Sequence, residues 1–186
     1  MPVIRAAKTG DAAAIAAIYA PFVAETVVSF ELTAPDAGEI ARRMAAGIAT
    51  HPWLVAEDAG AVAGYAYAGR FNARAAYDWS AEVTIYLAPD YRRRGLGRRL
   101  YDALFRLLRR QGFHSLFALI ALPNEASLGL HRACGMREIG VYREVGCKFG
   151  QWRDVLSMGM TLNEARAPAR PPIAFADLDP CDDDLR

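Results

Sequence analysis

The spacing of apolar and polar positions predicts a strand followed by two helices in the first quarter of the chain. Val3–Ala6 is a short strand candidate. After Asp11, apolar residues recur at helical spacing, at Ile15, Ile18, Tyr19 and Phe22. Asp36 then stands three residues before Glu39, as in a capping box. A second helix is therefore expected, with its apolar face formed by Ile40, Met44 and Ile48.

The next segment predicts a hairpin, a loop and a strand. Trp53–Glu57 and Val62–Ala68 are apolar runs joined by a short turn that ends in Gly60. Phe71–Ser80 has no regular spacing, and Glu82–Leu87 then alternates as a strand does. We therefore expect an irregular loop that leads into a central strand.

The longest predicted helix covers Gly95–Gln111, where leucines form a continuous stripe. Ser115–Leu122 is an almost unbroken apolar run, which is typical of a strand covered on both faces. Ala126–Cys134 predicts a short helix, and Glu138–Cys147 with Gln151–Leu162 predicts a second hairpin. The expected architecture is α/β (α+β), with a mixed sheet of about seven strands and four helices.

Composition excludes several classes of protein. The 186 residues are 53% hydrophobic, which suits one folded domain and excludes a disordered chain. Lys plus Arg number 22 and Asp plus Glu 21, so no overall field attracts nucleic acid or an anionic membrane. No apolar run approaches the ~20 residues that cross a bilayer. The start of the chain does not look like a secretion signal. We expect a cytoplasmic protein without nucleic-acid or membrane partners.

The domain is expected to span residues 1–164. Residues 165–186 are rich in proline and then acidic, and they are interpreted as a C-terminal tail. The three cysteines have neither the spacing of zinc ligands nor that of a disulfide framework, so no metal is expected. They are Cys134, Cys147 and Cys181.

Candidate chemistry first appears in the segment Arg92–Gly97, which reads Arg-Arg-Arg-Gly-Leu-Gly and opens the long helix. Glycines let backbone N–H groups approach an anion, and a helix N-terminus adds unpaired donors, so this segment is suited to a phosphate. It lacks the Lys and Ser or Thr of a P-loop and the third glycine of a dinucleotide fingerprint. The alternative is a solvated basic turn.

The segment resembles motif A of the GNAT superfamily of acyl-CoA N-acyltransferases, in which Arg92, Gly95 and Gly97 take the fixed positions. The family's order of strand, long helix, strand and short helix is also present, and the resemblance covers roughly Val3–Leu162. Further segments look like the phosphinothricin and methionine sulfoximine acetyltransferase branch. They are Tyr77, Asp78, Trp79, Glu82 and Tyr86; Leu122, Pro123, Asn124, Ser127 and His131; and Gly146, Lys148, Gly150, Trp152 and Asp154.

The resemblance implies the GNAT fold, acetyl-CoA as co-substrate and a homodimer. Acetyl-CoA would lie against the strand Glu82–Leu87, with the Leu87 N–H polarising the thioester carbonyl. Asn124 is equally suited to capping the short helix. The implied cofactor-binding residues are Ile85, Tyr86, Leu87, Arg92, Arg93, Arg94, Gly95, Leu96, Gly97, Arg98, Asn124 and Ser127.

Two residues are candidates for proton transfer. An amine with a pKa of about 8 is largely protonated at neutral pH, so attack on a thioester needs a base. Glu82 lies on an otherwise apolar strand, where an unpaired carboxylate is rare unless it is functional. It would act directly or through a water, and the alternative is a surface carboxylate. His131 stands where many GNAT enzymes have a tyrosine; it could serve as acid or base, or pack structurally.

The acceptor pocket follows from the resemblance as well. Arg74 is expected to hold an anionic oxygen of the acceptor, and the alternative is a solvated loop arginine. Tyr77, Trp79 and Lys148 could also wall the pocket, in one subunit or from a partner. The implied substrate-binding residues are Phe30, Asn72, Ala73, Arg74, Glu82, Val83 and Thr84.

The predicted function is transfer of acetyl from acetyl-CoA to the α-amino group of a small amino acid such as phosphinothricin, methionine sulfoximine or methionine sulfone. One fold serves many acceptors, so acetylation of a protein N-terminus or another amine is an alternative. A non-catalytic acyl-CoA sensor is a second alternative. A nucleic-acid-binding module is suggested only by clustered arginines, which a solvated helix face explains as well.

Overall fold

The computed structural model describes residues 1–164, 170–179 and 182–185. Seven strands form one mixed sheet in the order β1-β2-β3-β4-β5-β7-β6. The strands are β1 (Val3–Ala6), β2 (Trp53–Asp58), β3 (Ala61–Arg70), β4 (Ser80–Leu87), β5 (Ser115–Ala121), β6 (Arg137–Lys148) and β7 (Gln151–Thr161). The helices are α1 (Ala12–Glu25), α2 (Ala37–Gly47), α3 (Leu96–Gln111) and α4 (Glu125–Ala133). The predicted mixed sheet of seven strands with four helices is confirmed.

Helix α3 fills one face of the sheet because its leucine stripe is fully buried there. Helices α1 and α2 cover the opposite face, but only over β2, β3 and part of β4. The rest of that face, over β5 and its neighbours, has no helix on it among the described residues. A large cavity lies on this half-covered face.

The uncovered face overturns one expectation about β5. The apolar run Ser115–Leu122 predicted burial on both faces, but the side chain of Leu119 is 47% exposed. Leu116, Ala118 and Ile120 point to α3 and are buried. The prediction was wrong at Leu119, because no helix among the described residues covers that part of the other face.

The capping box predicted at α2 forms only in part. The carboxylate of Asp36 accepts a hydrogen bond from the backbone N–H of Glu39, as expected for an N-cap. The Glu39 carboxylate does not return that bond, because it accepts hydrogen bonds from Arg42 and Arg43. The helix start is therefore capped at one donor.

Part of the C-terminal segment packs against the domain. Phe175 is buried against the α3 side of the core, and the Gln111 amide donates to the carbonyl oxygens of Thr50 (2.9 Å) and Ile173 (2.7 Å). The indole of Trp79 donates to the carbonyl of Arg170 at 3.0 Å. Residues 165–169 and Cys181, which the sequence analysis placed in the tail, lie outside the described residues.

The described helices include none that is both long and apolar enough to cross a membrane. Over the same residues there is no group of three or more His, Cys, Asp or Glu side chains placed to hold a metal ion. Cys134 and Cys147 are both free thiols.

Candidate active site

Strands β4 and β5 pair in parallel only at their first residues and then diverge. The paired positions end at Glu82 and Phe117, although β4 continues to Leu87. A narrow cleft of about 60 Å³ opens between the diverging strands. Its walls bring together residues that the sequence analysis selected from two separate segments: Val83, Thr84, Ile85 and Tyr86 on β4, and Asn124, Ser127 and His131 at α4.

The glycine-rich loop enters α3 through left-handed backbone. Arg93 has φ +57° and Gly95 has φ +78°, and Gly95 is the N-cap residue of α3. Gly95 has no side chain to cap the helix, so the donors of the first turn stay open to an anion. At Gly97 a Cβ would stand 3.1 Å from a methyl of Leu130, which explains the glycine as a point of close helix packing. The predicted phosphate loop has a suitable geometry.

The arginines in and next to this segment make different contacts. Arg92 donates to the carbonyl of Leu87 at 3.2 Å, and its guanidinium lies 4.8 Å from the centre of the Phe22 ring. Arg98 pairs with Asp102 at 2.8 Å. Arg92 therefore braces the loop against β4 and α1, whereas the Arg98 pair lies within α3. The side chains of residues 93 and 94 are exposed.

Helix α4 presents a buried histidine to the cleft. Asn124 caps the helix by accepting a hydrogen bond from the Ser127 N–H at 3.2 Å, so its capping role is confirmed. His131 Nδ1 lies 2.8 Å from the Ser127 carbonyl, which only accepts, so Nδ1 carries the proton. Nε2 lies 3.0 Å from the hydroxyl of Tyr101. Burial lowers the pKa of His131, so the neutral ring accepts at Nε2 from Tyr101.

A larger cavity of about 620 Å³ lies over the uncovered part of the sheet. We call it the acceptor cavity because Phe30, Glu82 and Thr84, which the resemblance implies for acceptor binding, line it. It contains the Glu82 carboxylate, whose pKa is raised by burial. In the described part of the chain Glu82 has no ion pair. The cavity is lined by Tyr19, Val28, Ser29, Phe30, Glu31, Tyr67, Glu82, Thr84, Tyr86, Leu119, Ala121, Tyr142, Val145 and Val155.

A second carboxylate lines the acceptor cavity, that of Glu31, and its charge is compensated by an arginine. Arg43 binds it through two hydrogen bonds of 2.7 and 3.0 Å, and the Tyr19 hydroxyl donates to it at 2.9 Å. These contacts hold the pKa of Glu31 below its usual range. Glu82 is therefore the carboxylate of this cavity that is free to accept a proton.

The loop between α1 and α2 forms one wall of the acceptor cavity and is held in place by hydrogen bonds from β6. Lys148 is 2% exposed and donates to the carbonyl oxygens of Val23 and Ser29, at 2.6 Å each. The Ser29 hydroxyl bonds the Tyr19 hydroxyl at 2.6 Å. Lys148 thus acts by anchoring the wall, and its side chain does not line the cavity.

The cavity unites some predicted substrate residues and leaves others outside. Phe30, Glu82 and Thr84 line it, whereas Val83 points to the α3 core. The loop of Asn72, Ala73 and Arg74 follows β3 and does not contribute to the described cavity. Its Asn72 side chain accepts from the Arg74 N–H at 3.2 Å. The side chains of residues 73 and 74 are exposed.

Several cavity residues were missed by the sequence analysis. Tyr67 and Tyr19 looked like ordinary core positions because their apolar spacing matches that of their neighbours. Tyr142 and Val145 reach the cavity because β6 bulges between Tyr142 and Gly146, where Glu144 has φ +50°. The run of polar residues at 143 and 144 was the only signal of that bulge.

The chain is similar to known acetyltransferases over most of its length. Residues 4–157 match the family described as an acetyltransferase (GNAT) domain. A phosphinothricin N-acetyltransferase of Streptomyces viridochromogenes is 39% identical over 90% of each chain. An L-methionine sulfoximine/L-methionine sulfone acetyltransferase of Salmonella typhimurium is 34% identical over 89% of this chain and 97% of its own. The crystal structure of a phosphinothricin acetyltransferase from Sinorhizobium meliloti with acetyl-CoA is 35% identical, with a TM-score of 0.86 over 91% of this chain and 92% of its own.

Proposed function

The chain belongs to the GNAT acetyltransferase family, and from this premise we propose that it transfers acetyl from acetyl-CoA to the α-amino group of a small amino acid of the phosphinothricin or methionine sulfoximine type. The observation that carries the proposal is the meeting of two spaces at β4. The narrow cleft and the acceptor cavity share Val28, Thr84, Tyr86, Leu119 and Ala121. A thioester in the cleft and an amine in the cavity would therefore come together beside Glu82.

The residues of this chain fit acetyl-CoA. The open donors at the start of α3 suit its pyrophosphate, and the unpaired backbone of β4 beyond Glu82 suits the amides of its pantetheine arm. When bound, acetyl-CoA supplies the activated acetyl group. The Leu87 N–H is assigned to polarising the thioester carbonyl.

Glu82 is proposed as the base of a direct transfer. The neutral acceptor nitrogen bonds to the acetyl carbon, the carbon–sulfur bond breaks with its electron pair leaving on the sulfur as the CoA thiolate, and one proton of the nitrogen passes to the Glu82 carboxylate directly or through water. Burial raises the pKa of Glu82 toward the range in which a base works at neutral pH. Its lack of an ion pair within the described residues leaves it free for this proton.

His131 is assigned a second role, at the cleft. Its Nδ1 proton is bound by the Ser127 carbonyl and its Nε2 lone pair accepts from the Tyr101 hydroxyl, so neither ring nitrogen is open to the acceptor amine. This supports Glu82 as the base at the amine. Because the Tyr101 hydroxyl occupies Nε2, His131 contributes to proton transfer at the departing thiol only through that hydroxyl.

We also propose that the enzyme is a homodimer formed through β6. This edge strand carries apolar side chains that are exposed, with Ile139 at 60% and Val145 at 55%. Exposed apolar edges are usually covered by a partner. Sedimentation equilibrium should give a dimer, and Ile139→Lys should yield a monomer; a wild-type monomer at micromolar concentration would contradict the proposal. A cytoplasmic location stays a prediction from the sequence.

Thiol release from acetyl-CoA tests the function. The acceptors are phosphinothricin, methionine sulfoximine, methionine sulfone, short peptides and polyamines. Saturable turnover of the three oxygenated amino acids is expected. Turnover of peptides or polyamines alone would keep the acetyltransferase and reject the acceptor class, while acetyl-CoA binding without any turnover would favour a sensor.

A further inference from the structure

A second cavity of about 640 Å³ lies beside the acceptor cavity. Part of its wall is the segment Pro171–Ala174, outside the residues 4–157 that match the family. The rest of the lining includes Arg43, His51, Trp53, Tyr67, Gly69 and Arg70. The cavity is therefore built partly by residues beyond the range that matches the family.

The two cavities adjoin at Tyr67, which lines both. Gly69 of the second cavity is the direct pairing partner of Glu82 on β4. Arg43 lines the second cavity, and its guanidinium binds the Glu31 carboxylate of the acceptor cavity. Adjacent strands lie about 5 Å apart. An acceptor held at Glu82 therefore has the second cavity within reach of a long side chain.

The lining of the second cavity favours a flat apolar group. Trp53 and Tyr67 stack with ring centres 4.1 Å apart and planes 14° apart, and His51 lies 5.3 Å from Phe113. Burial lowers the pKa of His51, so this ring is neutral at neutral pH. Aromatic rings attract other rings at such separations.

The charges at the second cavity are already compensated. Arg70 pairs with Asp78 at 2.6 Å, and Arg43 is bound by Glu31 and Glu39 at 2.7 Å each. An ionic ligand would have to break one of these pairs. Trp53 and Phe113 are buried, so the neutral rings of Tyr67 and His51, which are half-buried, are the aromatic surface of the cavity that is free to bind.

We propose that the second cavity receives the side chain of the acceptor, and that the enzyme acetylates L-α-amino acids with aromatic side chains in addition to small ones. The inference rests on the proposed function, since it places the amine at Glu82. The aromatic ring passes Gly69 and packs against the half-buried ring of Tyr67, which is itself stacked on the buried Trp53.

Gly69 offers a direct test. A Cβ at this position meets no atom within 4 Å and its φ is not in the left-handed region, so Gly69→Leu fills space without backbone strain. Gly10→Leu is the matched control, because Gly10 has equal room in the turn before α1. The measured quantity is kcat/KM for L-phenylalanine and L-tryptophan, divided by kcat/KM for methionine sulfone.

The wild type and Gly10→Leu should turn over the aromatic acceptors, and Gly69→Leu should lower the ratio at least about tenfold, the effect of losing about 1.4 kcal/mol of binding. An unchanged ratio, or wild-type turnover of methionine sulfone without turnover of either aromatic amino acid, would overturn the proposal.

If no amine is acetylated, the proposed function itself fails. Calorimetric titration with N-acetyl-L-phenylalanine then decides separately: binding that Gly69→Leu weakens supports the second cavity, and no binding to the wild type rejects it.

Discussion

The ring of Phe30 lies directly against the backbone of Gly146, so that a Cβ at position 146 would stand 2.1 Å from Phe30 Cε2. Phe30 forms part of the acceptor cavity, and Gly146 follows the bulge in β6. Gly146→Ala should therefore push the ring out of place and raise KM for the acceptor about tenfold, while KM for acetyl-CoA changes little. Steady-state kinetics with both substrates measure this split.

A matched control is Gly140→Ala, since a Cβ at Gly140 meets nothing within 4 Å on the same strand. It should behave as the wild type. Equal rises in both KM values for Gly146→Ala would show that the variant disturbs the whole fold.

Glu82 should set the acid limb of kcat. The carboxylate accepts a proton only when ionised, and burial raises its pKa, so activity is present above that pKa and is lost as the pH falls through it. The limb should lie above the usual glutamate pKa of about 4.3. Glu82→Gln should lower kcat roughly 10²- to 10⁴-fold and abolish the limb, without weakening acetyl-CoA binding.

The control for Glu82→Gln is Glu25→Gln, at the exposed end of α1. It should leave the pH profile unchanged. Full activity of Glu82→Gln at neutral pH would remove Glu82 from the mechanism.

Arg74 provides a test of the substrate loop, which lies outside the described acceptor cavity. If its guanidinium holds an anionic oxygen of the acceptor, Arg74→Ala should raise KM for the acceptor about tenfold or more and leave KM for acetyl-CoA alone. Arg42→Ala removes an exposed arginine on α2 and serves as the control. Wild-type kinetics for Arg74→Ala would identify a solvated arginine.

Lys148 should contribute to stability through its two carbonyl partners. Burial lowers the pKa of its ammonium group. Lys148→Met keeps the length of the side chain but leaves the buried carbonyl oxygens of Val23 and Ser29 without this donor, at a cost of about 1–3 kcal/mol each.

A loss of about 3 kcal/mol corresponds to a fall in Tm of roughly 6–12 °C for a chain of this size. Differential scanning calorimetry measures it, and Lys8→Met, at an exposed lysine, is the control. Equal Tm values for the two variants would show that the anchor contributes nothing.

The packed C-terminal segment should stabilise the domain through Phe175. This side chain is 9% exposed and belongs to the α3 core, so Phe175→Ala should reduce the free energy of unfolding by about 3 kcal/mol. Ile173→Ala, at a side chain that is 50% exposed, should cost less than about 1 kcal/mol. Urea denaturation compares them, and indistinguishable midpoints would mean that the segment does not support the fold.

Local sequence patterns predicted the elements well because most of them bury one regular face. The leucine stripe of α3 and the alternation of β4 are examples, and each is a direct result of a period of 3.6 or 2 residues. The apolar run of β5 has no alternation of apolar and polar residues that could mark one face as exposed. Its composition indicated burial on both faces, whereas the exposure of Leu119 depends on where α1 and α2 end over the sheet.

The site was predictable where function depends on backbone and unpredictable where it depends on long-range packing. Arg93 and Gly95 lie in a motif whose turn and helix start are local. Tyr67 joins a cavity wall only through the arrangement of β3 beside the helices, and Tyr142 only through the bulge of β6. The neighbouring residues in the sequence do not indicate that Tyr67 or Tyr142 lines a cavity.

The early end of the pairing between β4 and β5 has a consequence for the free enzyme. Beyond Glu82, one edge of β4 faces a cleft although the strand lies in the middle of the sheet. Amide hydrogens on that edge should exchange with solvent faster than those facing β3, despite their central position. Bound acetyl-CoA should slow the exchange of these amide hydrogens selectively. The exchange rates of a few residues between Val83 and Leu87 should therefore report whether the cleft is occupied.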